Sequence, residues 1–96
     1  MKTAAKARIN WTPVEAGGRI NILPVGMRYC PIIVFELEQD GETLWSAEVY
    51  NTSIEGRTSV ADISYLADDA PYHLFQAGRK FHLYEGQRIV AEGAIV

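Results

Sequence analysis

The arginines carry the most suggestive spacing of the residues able to do chemistry: Arg19 follows Gly17-Gly18, and after six intervening residues Arg28 closes Gly26-Met27-Arg28. Guanidinium groups hold phosphate or carboxylate through forked donors. The pair could therefore grip an RNA backbone, or it could tie a long loop to carbonyls and to carboxylates such as Glu15. A second basic group, Arg79, Lys80 and Arg88, accompanies Tyr84, whose ring could stack on a base. The plain alternative is solvation of a surface hairpin. The candidate binding residues are Arg19, Arg28, Lys80, Tyr84 and Arg88.

Other reactive side chains lack the company they would need. His73 and His82 have no third ligand at a metal-binding interval, and structural zinc takes four protein ligands. Asp62, Ser64 and His73 supply the letters of a triad without a Gly-x-Ser-x-Gly elbow around them. Glu36 and Glu38 share one face of an expected strand. Paired carboxylates can do acid–base work, but near a hairpin end they more simply solvate an edge. Cys30, between Tyr29 and Pro31, reads as a small buried hydrophobe, with Arg28 as its local electropositive neighbour. No catalytic residue, metal or cofactor is expected, and the chain is not expected to be an enzyme.

The elements that must position these side chains are short strands. Ninety-six residues suffice for one core, and 48% hydrophobic with 22% charged residues describes a soluble globule. A single domain over 1–96 is expected, with 1–5 flexible. No apolar run approaches the roughly 20 residues needed to cross a bilayer, and no apolar segment follows Lys2, Lys6 and Arg8, so neither membrane nor secretory signal is expected. A lone cysteine fits the cytoplasm. The net charge of −3 lacks the basic balance that draws proteins to phosphate backbones, although a local patch remains open.

From Lys80 to Val96 polar and apolar residues alternate around Glu85-Gly86-Gln87, predicting a terminal hairpin. A three-residue loop sets Phe81 and Leu83 on the core face with Ile89, Ala91, Gly93 and Ile95. Lys80, His82, Tyr84, Arg88, Val90 and Glu92 fall on the other. Upstream, Lys6 to Val14 alternates as a first strand, and Arg19 to Leu23 leads into a structured loop that Pro24 and Gly26 keep from being a central strand. The β-branched run from Cys30 to Glu38 and the stretch from Thr43 to Tyr50 form a central hairpin about Asp40-Gly41. Asn51 to Ser59 is polar, contains Gly56 and is expected to be a connection, with a strand resuming from Val60 to Leu66. About six short strands without a sustained helical period point to a small all-β barrel or sandwich. Trp11 and Trp45 are read as core or rim aromatics.

Two of these segments carry a resemblance. Glu15-Ala16-Gly17-Gly18-Arg19 followed by Gly26-Met27-Arg28 resembles the "EGGR…GYR" segment of the third, C-terminal domain of elongation factor Tu. Phe81 to Gly93, with Glu85-Gly86-Gln87-Arg88 at its turn, is similar to that family's terminal "FAIREGGRTVGAG". The two motifs occur in the family's order and cover both ends of the chain, while Thr43 to Ala77 fits loosely. The resemblance implies a six-stranded antiparallel β-barrel that binds rather than catalyses, in a family that contacts tRNA, its own GTPase domain and an exchange factor. It makes Gly17, Gly18, Gly26, Gly86 and Gly93 structural. This chain has Met27, Cys30 and Gln87 where the family has an aromatic, a glutamine tied to tRNA contact and a second glycine. It contains no Gly-x-x-x-x-Gly-Lys-Ser/Thr loop, so nucleotide hydrolysis is not expected.

The expectation is thus an all-β, six-stranded antiparallel barrel acting as a non-enzymatic, cytoplasmic binding module. Its partner is expected to be another protein. RNA held through Arg19, Arg28, Lys80 and Arg88 is the alternative.

Overall fold

Period-two alternation lets each strand bury one face, and in the computed structural model six strands do so by closing on themselves. The structure describes residues 4–36 and 44–96; Glu38, the Asp40-Gly41 turn and Thr43 lie outside them. The strands are β1 (Ala5–Trp11), β2 (Arg28–Tyr29), β3 (Ile32–Phe35), β4 (Trp45–Glu55), β5 (Thr58–Tyr65), β6 (Lys80–Glu85) and β7 (Arg88–Ile95). The ring runs β4-β3-β6-β7-β1-β5 and returns to β4, every pairing antiparallel. The two-residue β2 is the additional strand. It pairs with β4 through Arg28↔Tyr50 and Tyr29↔Val49 in the same register as Ile32↔Ser46. Pro31 has no N–H to donate, yet its carbonyl accepts from the Ala47 amide at 2.8 Å, which carries that register across the gap.

The interior is filled by inward residues of all six ring strands, among them Ile9, Val49, Ile63, Phe81 and Leu83, each essentially solvent-free. An aromatic group caps one region of this core. Tyr65 stacks on Phe75 at 4.9 Å and meets Tyr72 edge-on at 5.2 Å, while Phe35 tilts against Phe81 at 5.6 Å. Trp11 is buried and Trp45 packs against the core at its margin, so neither tryptophan is an exposed interface residue. No helix among the described residues is long and apolar enough to cross a membrane.

Three local expectations are corrected. Asn51 to Ser59 is no loose connection: β4 runs on to Glu55, Gly56 turns at φ +63°, and β5 begins at Thr58. The ribbon projects exposed residues from Thr52 to Glu55, so it lacks the burial pattern that would mark it as strand. At the terminal hairpin Glu85 pairs with Arg88, which leaves a two-residue Gly86-Gln87 turn, and a register shift follows between Leu83↔Ala91 and Tyr84↔Ile89. That bulge absorbs Val90, so Val90 is buried and Ile89 is 40% exposed, the reverse of the expected arrangement. Phe81, Leu83, Ala91, Gly93 and Ile95 keep the predicted core side. Cys30, expected to be buried, is exposed at the break between β2 and β3.

Candidate functional site

After Trp11 the chain leaves β1, makes a 3-10 turn at Val14–Ala16 and travels as an irregular loop to β2. Gly17 turns it at φ +94°. At Gly18 a Cβ would fall 1.8 Å from the Thr12 carbonyl oxygen, a contact that only glycine avoids. The loop is then fastened to the barrel by side chains. Arg57 Nη2 donates to the carbonyls of Thr12 at 2.8 Å and Arg19 at 2.7 Å. Below them runs a buried polar chain: Trp11 Nε1 donates to Ser59 Oγ at 2.9 Å, Ser59 Oγ to Asn51 Oδ1 at 2.8 Å, and Asn51 Nδ2 to the Leu23 carbonyl at 2.9 Å. Every donor in that chain meets an acceptor, as burial of polar groups requires.

Glu85, the last residue of β6, is where this loop meets the hairpin. Its Oε2 accepts from both Arg19 Nη1 and the Tyr29 hydroxyl, and its Oε1 accepts from Arg88 Nη2 at 3.1 Å. The Arg19 guanidinium also lies over the Tyr29 ring at 5.1 Å, and that ring tilts against Trp11 at 5.8 Å. Arg19 Nε donates to the Asn21 carbonyl at 3.1 Å. Arg19 therefore does tie the loop to a carbonyl and a carboxylate, with Glu85 in the place suggested for Glu15. Removal from water pushes the Glu85 carboxyl upward, but hydrogen bonds from Tyr29 and Arg19 outweigh it and hold the group below its usual range. The bond to Glu85 keeps Arg19 charged against the smaller opposing effect of burial. Burial first, and the adjacent carboxylate second, push the Tyr29 hydroxyl well above the ordinary tyrosine value.

The candidate residues divide among separate places. Arg19 and Arg88 converge on Glu85 and border an open cleft of about 290 Å³ lined also by Gly18, Ile20 and Asn21. Arg28 turns to Glu48 on β4, with Nε 3.0 Å from the carboxylate. Lys80 begins β6 opposite Ala94, roughly 16 Å from Glu85 at the usual rise of an extended strand. It borders a different, mixed-charge groove with Arg8, Glu36 and Glu92. Tyr84 is half-buried between Ile32 and Ile89 of the flanking strands. Arg19, Arg28, Lys80 and Arg88 thus do not form one continuous basic face.

The triad letters are dispersed as well: Asp62 is bonded to Lys6 at 2.8 Å, and His73 lies on the separate Tyr72–Leu74 turn. His82 faces Glu92 across the hairpin at 3.9 Å. The described residues contain no cluster of three or more His, Cys, Asp or Glu side chains suited to a metal.

Glu85, Tyr29 and Arg57 are the residues that sequence reasoning missed. The Glu85–Arg88 pair was visible as an i,i+3 spacing across a turn, but Tyr29 and Arg19 stand 56 and 66 residues from Glu85, with no local pattern linking them. Neither a family model nor a curated protein matches the chain.

Proposed function

We propose that this chain is a non-enzymatic recognition module whose barrel holds the loop between β1 and β2 ready for another protein. The observation that carries the reading is the exposure of Ile20 at 78%, Val25 at 58% and Met27 at 54% on one firmly anchored loop. Exposed apolar side chains mark an interaction surface when they gather into one patch, and three on a single ordered loop are placed to do so. The backbone beneath them is held by Asn51 Nδ2 on the Leu23 carbonyl and by the Gly26 amide donating to the Asn51 carbonyl at 3.0 Å. Ordering a loop before binding reduces the conformational entropy lost when a partner arrives.

The charges favour protein over RNA in the same way. Arg19 and Arg88 meet at Glu85, while Arg28 turns to Glu48 and Lys80 borders a different groove, so a phosphate backbone would find no continuous basic track. The resemblance to the elongation factor Tu barrel makes partners of that factor the first to try, with the cytoplasm as the place of action.

The test is capture on the immobilised chain at low and high salt, with both protein and RNA read in the eluate. An apolar protein interface retains its partner as salt rises. RNA recovered at low salt, lost at high salt and lost when Arg19 and Arg28 are changed to alanine would replace this reading with the RNA one.

A further inference from the structure

We propose that the cleft between Arg19 and Arg88 receives a carboxylate of the partner protein, from an acidic side chain flanked by an apolar one. The inference rests on the protein-recognition reading above and specifies the chemistry of the segment recognised.

Two guanidinium groups line this cleft and share one carboxylate, Glu85, which leaves one positive charge uncompensated in the lining. Their donors are not exhausted either. Each guanidinium carries five N–H groups. Arg19 uses Nε and Nη1, and Arg88 uses Nη2, in the bonds described. Arg19 is pinned by its contacts with Asn21, Glu85 and the Tyr29 ring, so its remaining N–H groups are oriented before a ligand arrives. A single carboxylate matches both the remaining charge and the forked geometry.

Ile20 decides between carboxylate and nucleic-acid phosphate. It lines the same cleft and is 78% exposed. An apolar neighbour to the carboxylate, as in a peptide of alternating acidic and aliphatic residues, would cover it, whereas a sugar-phosphate chain would leave it wet. The overall charge of −3 also opposes a polyanion more than a short acidic segment.

The experiment follows backbone amides of the full chain by NMR during titration with acetyl-Leu-Glu-Leu-Glu-Leu-amide, with its glutamine counterpart, and with a short single-stranded RNA. The expected result is saturable movement at Gly18, Ile20 and Arg88 with the glutamate peptide and about tenfold weaker binding of the glutamine peptide, the worth of one charge-assisted pair. Arg88→Gln should abolish that preference, while the dispersion of its spectrum reports whether it folds. The comparison of the two peptides needs no variant and so decides the matter by itself. Equal binding of both peptides, or no movement at those amides, overturns the inference. If both peptides bind equally at Val25 and Met27, protein recognition stands and the carboxylate site falls. If RNA alone binds, both fall.

Discussion

Gly93 lies directly across the terminal hairpin from Phe81, and the ring fills the space that a side chain at 93 would need. A Cβ there would sit 2.7 Å from the ring Cζ and 2.7 Å from the Arg8 carbonyl oxygen. The ring can move a little; the β1 backbone cannot move without breaking its ladder to β7. Gly93→Val should therefore lower stability by about 1–3 kcal/mol or more, as overfilling a packed core does. Urea unfolding followed by tryptophan fluorescence checks this, with Gly93→Ala expected in the same direction and smaller. A Gly93→Val midpoint equal to that of the parent would mean that this strand pair is not packed as described.

Glu85 gives the fold a dependence on pH whose sign is fixed. Its folded-state pKa is lowered by Tyr29 and Arg19 against the desolvation that raises it. A depressed carboxyl contributes stability that is complete above its ordinary value, about 4.5, and is lost as the pH falls through the lowered one. The parent and Glu85→Gln should therefore differ in urea midpoint by a constant amount above about pH 6 and converge in acid. Curves that stay parallel down to the acid limit would contradict the role assigned to Glu85.

The chain from Trp11 through Ser59 to Asn51 is buried, so cutting it at the centre leaves two groups without partners. Ser59→Ala strands Trp11 Nε1 and Asn51 Oδ1 together. Buried unsatisfied groups cost about 1–3 kcal/mol each, so a loss in that range or above is expected. Because Asn51 also holds the Leu23 carbonyl, amide exchange in the loop should quicken with it. A double-mutant cycle between Ser59 and Asn51 should give a coupling well outside simple additivity.

Alkali should unmask two tyrosines late. Burial pushes Tyr65 up to about 12, and burial with the Glu85 carboxylate pushes Tyr29 up as well. A phenol whose folded pKa is raised contributes stability that is full below the ordinary tyrosine value near 10 and is lost as the pH climbs through the raised one. In an absorbance titration at about 295 nm, Tyr65→Phe should remove amplitude only from the part above the ordinary value, together with the loss of near-ultraviolet dichroism. Amplitude removed at the ordinary midpoint would contradict the burial of Tyr65.

The barrel was legible wherever one face of a strand is buried and the other is wet. Phe81, Leu83, Ala91 and Ile95 announce their side by alternation alone, because burial imposes a period of two on such strands. The same logic explains what was missed. Ser53, Ile54 and Glu55 belong to a ribbon exposed on both faces, so no alternation survives there to distinguish strand from loop. Val90 and Ile89 exchange places because a bulge inserts one residue, and hydrophobic pattern alone does not locate a bulge. At the site, the arginines were visible as residue types, and Gly17 and Gly18 as structural glycines immediately before Arg19. The bonds from Arg19 and Tyr29 to Glu85 were not legible, since closure of the barrel brings together groups far apart in the chain. The apolar loop residues Ile20, Val25 and Met27 were equally hidden, because only the fold decides whether a loop isoleucine is covered.

The most direct measurement compares what the parent and a Val25→Asp/Met27→Asp variant retain at high salt, with both folds first verified by their urea midpoints. These side chains face water and their removal from the apolar surface leaves the barrel core untouched, so the variant should fold as the parent does. Recognition through the anchored loop predicts a protein that the parent holds in high salt and the variant releases. A partner held equally by both, or nucleic acid released from both by salt alone, would contradict it.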